Sequence, residues 1–337
     1  MKALNISDIK KIGVVEIAKP EPQKGEVLLK IKYVGFCGSD LNTFLGKNPM
    51  VNLPVVPGHE ISAIVEEVTE GVPANLKKGM RCTVNPYTNC EHCSSCRNGR
   101  PNACRYNQTF GVQRDGAMSE YIVVPWQKVI ADNAISQRNF TLVEPLSVGF
   151  HAVSRAEVTD VDVVMVFGCG MIGLGALIRA SLRGARVIAV DVDDEKLKLA
   201  KSLGAVYTIN STTEDVHSRL TEITSNMGPD VVIEAVGAPA TYRMAIDEVA
   251  FTGRVVCIGY ANSEVAFETK YFVSKELDIR GSRNALPEDF RAVMEYVKRN
   301  EIPEILISGI YPPEKADEAL TKWSENPGKV FRIFIEF

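Results

Sequence analysis

Val161–Asp191 reads VDVVMVFGCGMIGLGALIRASLRGARVIAVD, and this stretch decides how the second half of the chain folds. Val161–Phe167 is a short, uninterrupted apolar run, the pattern of a strand covered on both faces. Gly168-Cys169-Gly170-Met171-Ile172-Gly173 follows it as G-x-G-x-x-G and opens a helix, MIGLGALIRASLRG. Ala185–Val190 is a second strand, closed by Asp191. Glycines at these positions permit a tight turn and let the backbone approach a pyrophosphate, which the helix N-terminus then faces. A carboxylate at Asp191 accepts from both ribose hydroxyls and repels a 2′-phosphate, so NAD is expected rather than NADP. Lys196, close by in the sequence, is grouped with the cofactor-binding residues; it tolerates a phosphate and tempers that preference. Outside a strand–helix–strand unit the same glycines would make only a turn and Asp191 a solvated cap.

Downstream the alternation continues. DEKLKLAKSLG reads as a helix, AVYTIN as a strand and DVHSRLTEITS as a helix; PDVVIEAV, GRVVCIG and LDIRG supply further strands. That order predicts an α/β fold with a doubly wound parallel sheet of the Rossmann type over residues 148–285. Upstream, EVLLKIKYVG, ISAIVEEV, RCTVNP and SEYIVVP alternate with Gly/Pro punctuation and read as an irregular, barrel-like β domain. Beyond Leu286 come a helix, PEDFRAVMEYVKRN, and an apolar strand, VFRIFIEF, expected to return to the first domain. That domain is therefore assigned residues 1–147 and 286–337.

The chain has 337 residues, 45% of them hydrophobic, enough for two core-bearing domains. At 24% charged residues wholesale disorder is not expected, and a net charge of −4 gives no global electrostatic case for nucleic acid. No apolar run approaches bilayer length and the N-terminus lacks a signal-peptide core, so no membrane partner and a cytoplasmic location are expected. In such a compartment the eight cysteines read as metal ligands or free thiols rather than disulfides.

Cys90, Cys93, Cys96 and Cys104 form C-x2-C-x2-C-x7-C in CEHCSSCRNGRPNAC. Four thiolates aimed at one centre suit tetrahedral Zn²⁺ and leave no position for substrate, so this zinc is structural. A nucleic-acid-binding ribbon would need more basic and aromatic residues than Arg97, Arg100 and Arg105 supply. Cys82, Cys169 and Cys257 are given packing roles. A looser set lies outside the cluster: Cys37 in GFCGSD, His59 and Glu60 in PGHE, and Glu144 in VEPL. Each alone is unremarkable; co-occurrence with a nucleotide fold and a structural zinc loop singles them out.

As a set, GFCGSD, PGHE, the four-cysteine loop, EPLSVGFHAV, GCGMIG with Asp191, VIEAVGAPA and GSRNALPEDF resemble the zinc-dependent medium-chain dehydrogenase/reductase family. The likeness is greatest to its sorbitol (polyol) dehydrogenase branch and runs nearly end to end. It implies a GroES-like catalytic domain, completed by the C-terminal segment, around a Rossmann domain, with the active site in the cleft. It implies two zinc ions per chain. Cys37 and His59 would hold the catalytic one, with Glu60 or Glu144 as the third protein ligand and the other carboxylate close by or holding a water. Asp40 would hydrogen-bond His59 and fix its tautomer. Ser39 would accept the substrate hydroxyl proton. Gly237, Ile258, Gly259 and Ser282–Asn284 would line the nicotinamide side, beside the fingerprint residues Gly168, Gly170, Met171, Ile172 and Gly173.

This implies an NAD-dependent oxidoreductase taking hydride from a secondary alcohol to give the ketone. A carboxylate in place of a second thiolate makes a harder metal site, suited to oxygen-rich substrates. GSRNALPEDF resembles the matching stretch of sugar-acid dehydrogenases of the L-galactonate 5-dehydrogenase kind. Arg283 and Asn284 are therefore assigned to a polyhydroxylated substrate, since a guanidinium can take a carboxylate with two hydrogen bonds. An interdomain or subunit salt bridge is the alternative use of Arg283. Two positions depart from the family: Asn42 stands where many relatives end a proton relay with His, and Thr43 where polyol relatives place an aromatic. Asn does not titrate near neutral pH, so the proton leaves by water or another group. Of the histidines outside the site, His151 is expected to pack, His92 is surplus to four thiolates, and His217 lies on a surface helix. An L-threonine 3-dehydrogenase-like enzyme and a general alcohol dehydrogenase are the competing enzyme readings, and no residue is found for threonine's ammonium. A zinc-lacking, crystallin-like binding member would be expected to lose the Cys37/His59 pair. Relatives form homodimers or homotetramers, and edge strands such as GRVVCIG and LDIRG are candidates for joining copies.

Overall fold

The computed structural model describes residues 1–337. Its strands are, in chain order, β1 (Lys2–Asp8), β2 (Lys11–Glu16), β3 (Glu26–Phe36), β4 (Glu60–Val68), β5 (Arg81–Val84), β6 (Tyr121–Pro125), β7 (Val129–Ala131), β8 (Val163–Phe167), β9 (Arg186–Asp191), β10 (Tyr207–Asn210), β11 (Val231–Glu234), β12 (Arg254–Cys257), β13 (Asp278–Gly281), β14 (Gly309–Tyr311) and β15 (Ile333–Glu336). The chain divides into two units, Met1–Glu144 with Leu286–Phe337, and Pro145–Ala285.

The first unit is built on a mixed sheet in the order β14-β15-β3-β4-β5-β7, with β6 also paired to β3, and on the β1-β2 hairpin. β3 is the spine. Its length lets it pair with β4 along most of its course and with β6 near its start. The register places Gly35 opposite Glu60 and Phe36 opposite Ile333. The C-terminal strand β15 therefore does return, antiparallel, to β3. Buried Val34, Phe36, Ile61 and Val65 form the core with Leu320 and Trp323 from the helix Ala316–Glu325. Burial of these side chains is what holds the converging strand ends in place, at roughly 1.5–3 kcal/mol each.

The second unit carries six parallel strands in the order β10-β9-β8-β11-β12-β13. All five residues of β8 are buried, as a continuous apolar run in a central parallel strand requires. The order reverses between β8 and β11, which opens a crevice at their carboxyl ends. GRVVCIG contributes β12, which lies inside the sheet between β11 and β13, so it is not an edge strand as expected; the edges are β10 and β13. A short parallel strand reads the same at an edge and one place in, because both are apolar runs between helices. No helix is long and apolar enough to cross a membrane.

Candidate functional site

Three strand ends meet at one point in the first unit. Cys37 follows β3, His59 precedes β4, Glu60 opens it, and Arg332 precedes β15. Their registers bring these residues together although 295 positions separate Cys37 from Arg332. The ligand atoms of Cys37, His59 and Glu60 lie within 4.8 Å of one another. Gly35 makes room: a Cβ there would sit 2.3 Å from Glu60 Oε2.

Asp40 ties the two loops. Its Oδ2 accepts from the Cys37 N–H at 2.8 Å and its Oδ1 from the Gly58 N–H at 3.3 Å. The expected Asp40–His59 hydrogen bond is not formed; His59 Nδ1 has no partner, and Asp40 acts on the ring by its charge. Asp40 instead positions the backbone on either side of the site. Glu60 splits its oxygens: Arg332 Nε–H donates to Oε2 at 2.8 Å, and Oε1 is buried without a partner. Glu144, in the first turn of the helix Val143–Arg155, accepts from the Tyr87 hydroxyl through Oε1. Ser39 Oγ is buried without a partner. Thr43 is buried and donates to the Ser39 carbonyl at 2.9 Å, while Asn42 is exposed.

Electrostatics show what this cluster lacks. Burial pushes the Glu60 carboxyl up to about 7 against the pull of Arg332. Burial likewise raises Asp40, and burial and Glu144 raise Tyr87 well above the usual phenol value. Burial disfavours a charged His59, yet its hydrogen bond to Cys37 and the carboxylates of Asp40 and Glu144 raise it well above its usual value. Acids and bases alike are shifted towards holding protons, the mark of a buried site with excess negative charge. A divalent cation answers that demand. A thiolate, an imidazole and a carboxylate with an unused oxygen form a donor set that fits zinc with a further position open.

The four-cysteine loop meets the same test. Tetrahedral zinc with bonds of about 2.3 Å requires sulfurs about 3.8 Å apart. Cys93 Sγ lies 3.6 Å from Cys96 Sγ and 3.8 Å from Cys104 Sγ, and no disulfide is formed. Backbone N–H groups of Cys93 and Cys90 donate to Cys90 and Cys104 sulfurs at 3.3 Å. The N–H groups of Cys96 and Arg105 draw Cys93 down to about 6, whereas burial pushes Cys96 up to about 11. His92 stays out of the set: its Nδ1 faces the Cys90 carbonyl and its ring lies near Tyr106.

In the second unit the fingerprint forms at the carboxyl end of β8. Gly168 adopts φ +89°, and Gly170 caps the helix Met171–Leu182 with open space where a Cβ would stand. A Cβ on Gly173 would lie 1.8 Å from the Gly168 carbonyl, so that turn closes only around glycine. Ile172 follows Met171 in the first turn of the same helix. Asp191 ends β9 and accepts from Cys169 N–H at 2.6 Å, fixing its carboxylate beside the loop. Gly237, Ile258 and Gly259 meet beyond β11 and β12: Ile258 N–H donates to the Glu234 carbonyl at 2.9 Å, and Gly237 N–H to Glu234 Oε1 at 2.8 Å. Ser282 N–H donates to the Cys257 carbonyl at 2.9 Å. Lys196 lies in the helix Asp194–Ser202, which Asp193 caps. Arg283 is exposed just after β13, and Asn284 takes φ +54°. His217 pairs with Glu248 on the surface, and His151 is buried.

A family model described as zinc-binding dehydrogenase matches residues 172–299, and one described as alcohol dehydrogenase GroES-like domain matches residues 23–133. The chain is 32% identical to an L-galactonate-5-dehydrogenase of Escherichia coli K12, over 87% of this chain and 86% of that one. The chain belongs to the zinc-binding dehydrogenase family. It is also 32% identical to a sorbitol dehydrogenase of Halalkalibacterium halodurans, over 91% of each chain. A solved alcohol dehydrogenase from Escherichia coli CFT073, complexed with NADH, superposes with a TM-score of 0.92 at 28% identity, covering 100% of this chain and 99% of that one. This zinc-binding dehydrogenase is thus an oxidoreductase acting on alcohols, with a GroES-like unit, a Rossmann unit, and zinc and a nicotinamide dinucleotide as cofactors.

Arg332, Tyr87 and Gly35 escaped the sequence reading. The signal for Arg332 was a lone cation inside the apolar run VFRIFIEF, where a charge needs a buried partner.

Proposed function

We propose that the chain oxidises a secondary alcohol of a sugar acid (hexonate) or polyol with NAD⁺, giving the keto product. The observation that carries this is the meeting of Cys37, His59 and Glu60 within 4.8 Å, with Glu60 Oε1 buried and unpartnered. When bound, zinc supplies a Lewis acid that lowers the pKa of an alcohol, and the nicotinamide supplies a hydride acceptor. Cys37, His59 and Glu60 hold the catalytic metal. Asp40 keeps their loops in register, and Arg332 pulls Glu60 towards its charged form and holds one of its oxygens. Glu144 stands by as the second carboxylate. Ser39 takes the hydroxyl proton; with Asn42 exposed and unable to titrate near neutral pH, the proton then leaves by water or through another group. Cys90, Cys93, Cys96 and Cys104 hold the structural zinc.

Gly168, Gly170, Met171, Ile172 and Gly173 take the pyrophosphate on backbone N–H groups at a helix N-terminus. Asp191 takes the ribose hydroxyls and opposes a 2′-phosphate, which favours NAD, while Lys196 nearby tolerates a phosphate and tempers that preference. Gly237, Ile258, Gly259 and Ser282 take the nicotinamide end. Arg283, with Asn284, recognises the substrate, pairing a hexonate carboxylate by two hydrogen bonds. The relatives named above act on a sugar acid and on a polyol by their names, which supports this substrate class.

The test is NADH formation from a panel of hexonates, polyols, threonine and simple alcohols, with NADP run in parallel. A hexonate preference with NAD is expected. Activity on neutral polyols alone would keep the zinc chemistry and remove carboxylate recognition by Arg283. Arg283→Ala then reads its role: kcat/KM for the hexonate should fall at least tenfold, and an unchanged value places Arg283 outside recognition.

A further inference from the structure

The two buried carboxylates beside the metal ligands are held differently. Glu60 gives Oε2 to Arg332 at 2.8 Å and keeps Oε1 without a partner. Glu144 gives Oε1 to the hydroxyl of Tyr87, a residue no sequence motif brought into the site. Both Tyr87 and Glu144 are buried, so water does not compete for that bond. The phenol is set in place from several sides. Its ring meets Phe290 edge-on, with centroids 6.1 Å apart and planes at 71°. Its backbone N–H donates to Asn85 Oδ1 at 3.1 Å, and the Pro86 carbonyl accepts from Phe110 N–H at 3.3 Å. A side chain fixed in this way cannot follow a carboxylate that moves.

We propose that Tyr87 decides which carboxylate completes the catalytic metal's protein ligands: its hydroxyl holds Glu144 back and leaves the place to Glu60. This rests on the zinc-dehydrogenase reading of the site. A carboxylate has lone pairs enough for a donor and a metal, but a buried phenol fixes its plane and its distance. Arg332 acts on Glu60 in the opposite sense, occupying one oxygen so that the unpartnered one is presented. Tyr87 is thus a positioning residue acting through Glu144. The arrangement leaves three protein ligands and an open position for the alcohol; a fourth protein ligand would close it.

Tyr87→Phe removes the hydroxyl and keeps the ring against Phe290. Wild type and variant are loaded with Co²⁺ at the Cys37 site, with the structural zinc retained, and compared by visible absorption and by chelator competition. In the variant Glu144 should reach the metal, changing the Co²⁺ d–d bands and tightening binding about tenfold, opposite in sign to the loss usual when a residue behind a metal ligand is removed. Adding Glu144→Gln to Tyr87→Phe should return the wild-type bands. In the otherwise wild-type chain, Glu144→Gln should leave the bands in place while Glu60→Gln weakens the metal. Identical bands and affinity in wild type and Tyr87→Phe overturn the proposal, with the zinc reading intact. So does a Glu144→Gln chain that loses metal as readily as Glu60→Gln, an arm that needs no change at Tyr87. A wild-type chain taking up no metal at Cys37 overturns both readings.

Discussion

At Glu60 one carboxylate meets two demands. Arg332 binds Oε2, Oε1 is buried without a partner, and the carboxylate lies within 4.8 Å of the ligand atoms of Cys37 and His59. Burial pushes its pKa from 4.5 to about 7, so the folded chain binds the proton more tightly than the unfolded chain. Stability from this group is therefore full below about 4.5 and is lost as pH rises through about 7. In protein freed of the catalytic metal, the stability of Glu60→Gln relative to wild type should rise between pH 5 and pH 8, by up to about 3 kcal/mol. Urea unfolding at the two pH values checks it, and a flat difference contradicts the assignment. Removing the partner has a different signature: Arg332→Met strands a buried carboxylate and should destabilise by about 3–5 kcal/mol. An unchanged urea midpoint would show that the pair carries no weight. The residue types at this site were legible from GFCGSD, PGHE and VEPL. The different partners of Glu60 and Glu144 were not, because Arg332 and Tyr87 reach the site through strand register and packing.

At the scale of elements, two loops depend on local rules that the sequence displays openly. The fingerprint turn closes around Gly173, where any Cβ would strike the Gly168 carbonyl. Gly173→Ala should weaken NADH at least tenfold in a fluorescence titration while zinc content stays the same; unchanged affinity would mean the dinucleotide binds elsewhere. The cysteine loop has the helix Ser94–Arg97 with no buried residue, so little but its sulfurs holds it together. Cys93→Ser should remove the structural zinc, bring metal content to one per chain and expose the loop to limited proteolysis. Two zinc ions still bound would contradict the assignment. Spacing along the chain sufficed to locate both loops, because the residues of each lie close in sequence. The place of β12 inside the sheet was not readable in this way, because an apolar run records burial and not neighbours.

Over the whole molecule, two units with separate cores divide the work: one gathers metal ligands at strand ends, the other shapes a dinucleotide turn. The division falls inside the helix Val143–Arg155, and no turn or linker composition marks such a point. β13 leaves an unpaired edge with Ile279 45% exposed, and we propose that a second copy continues the sheet there. Ile279→Asp should then turn a dimer or tetramer into a smaller species in light scattering; an unchanged mass places the interface elsewhere. Zinc-dependent alcohol oxidation is proposed at Cys37, His59 and Glu60. It is tested most directly by measuring NADH formation from the best hexonate or polyol before and after selective removal of the catalytic zinc, and again on its return. Activity should be lost with that zinc and return when zinc is restored; a rate indifferent to its removal would rule out zinc chemistry at this site.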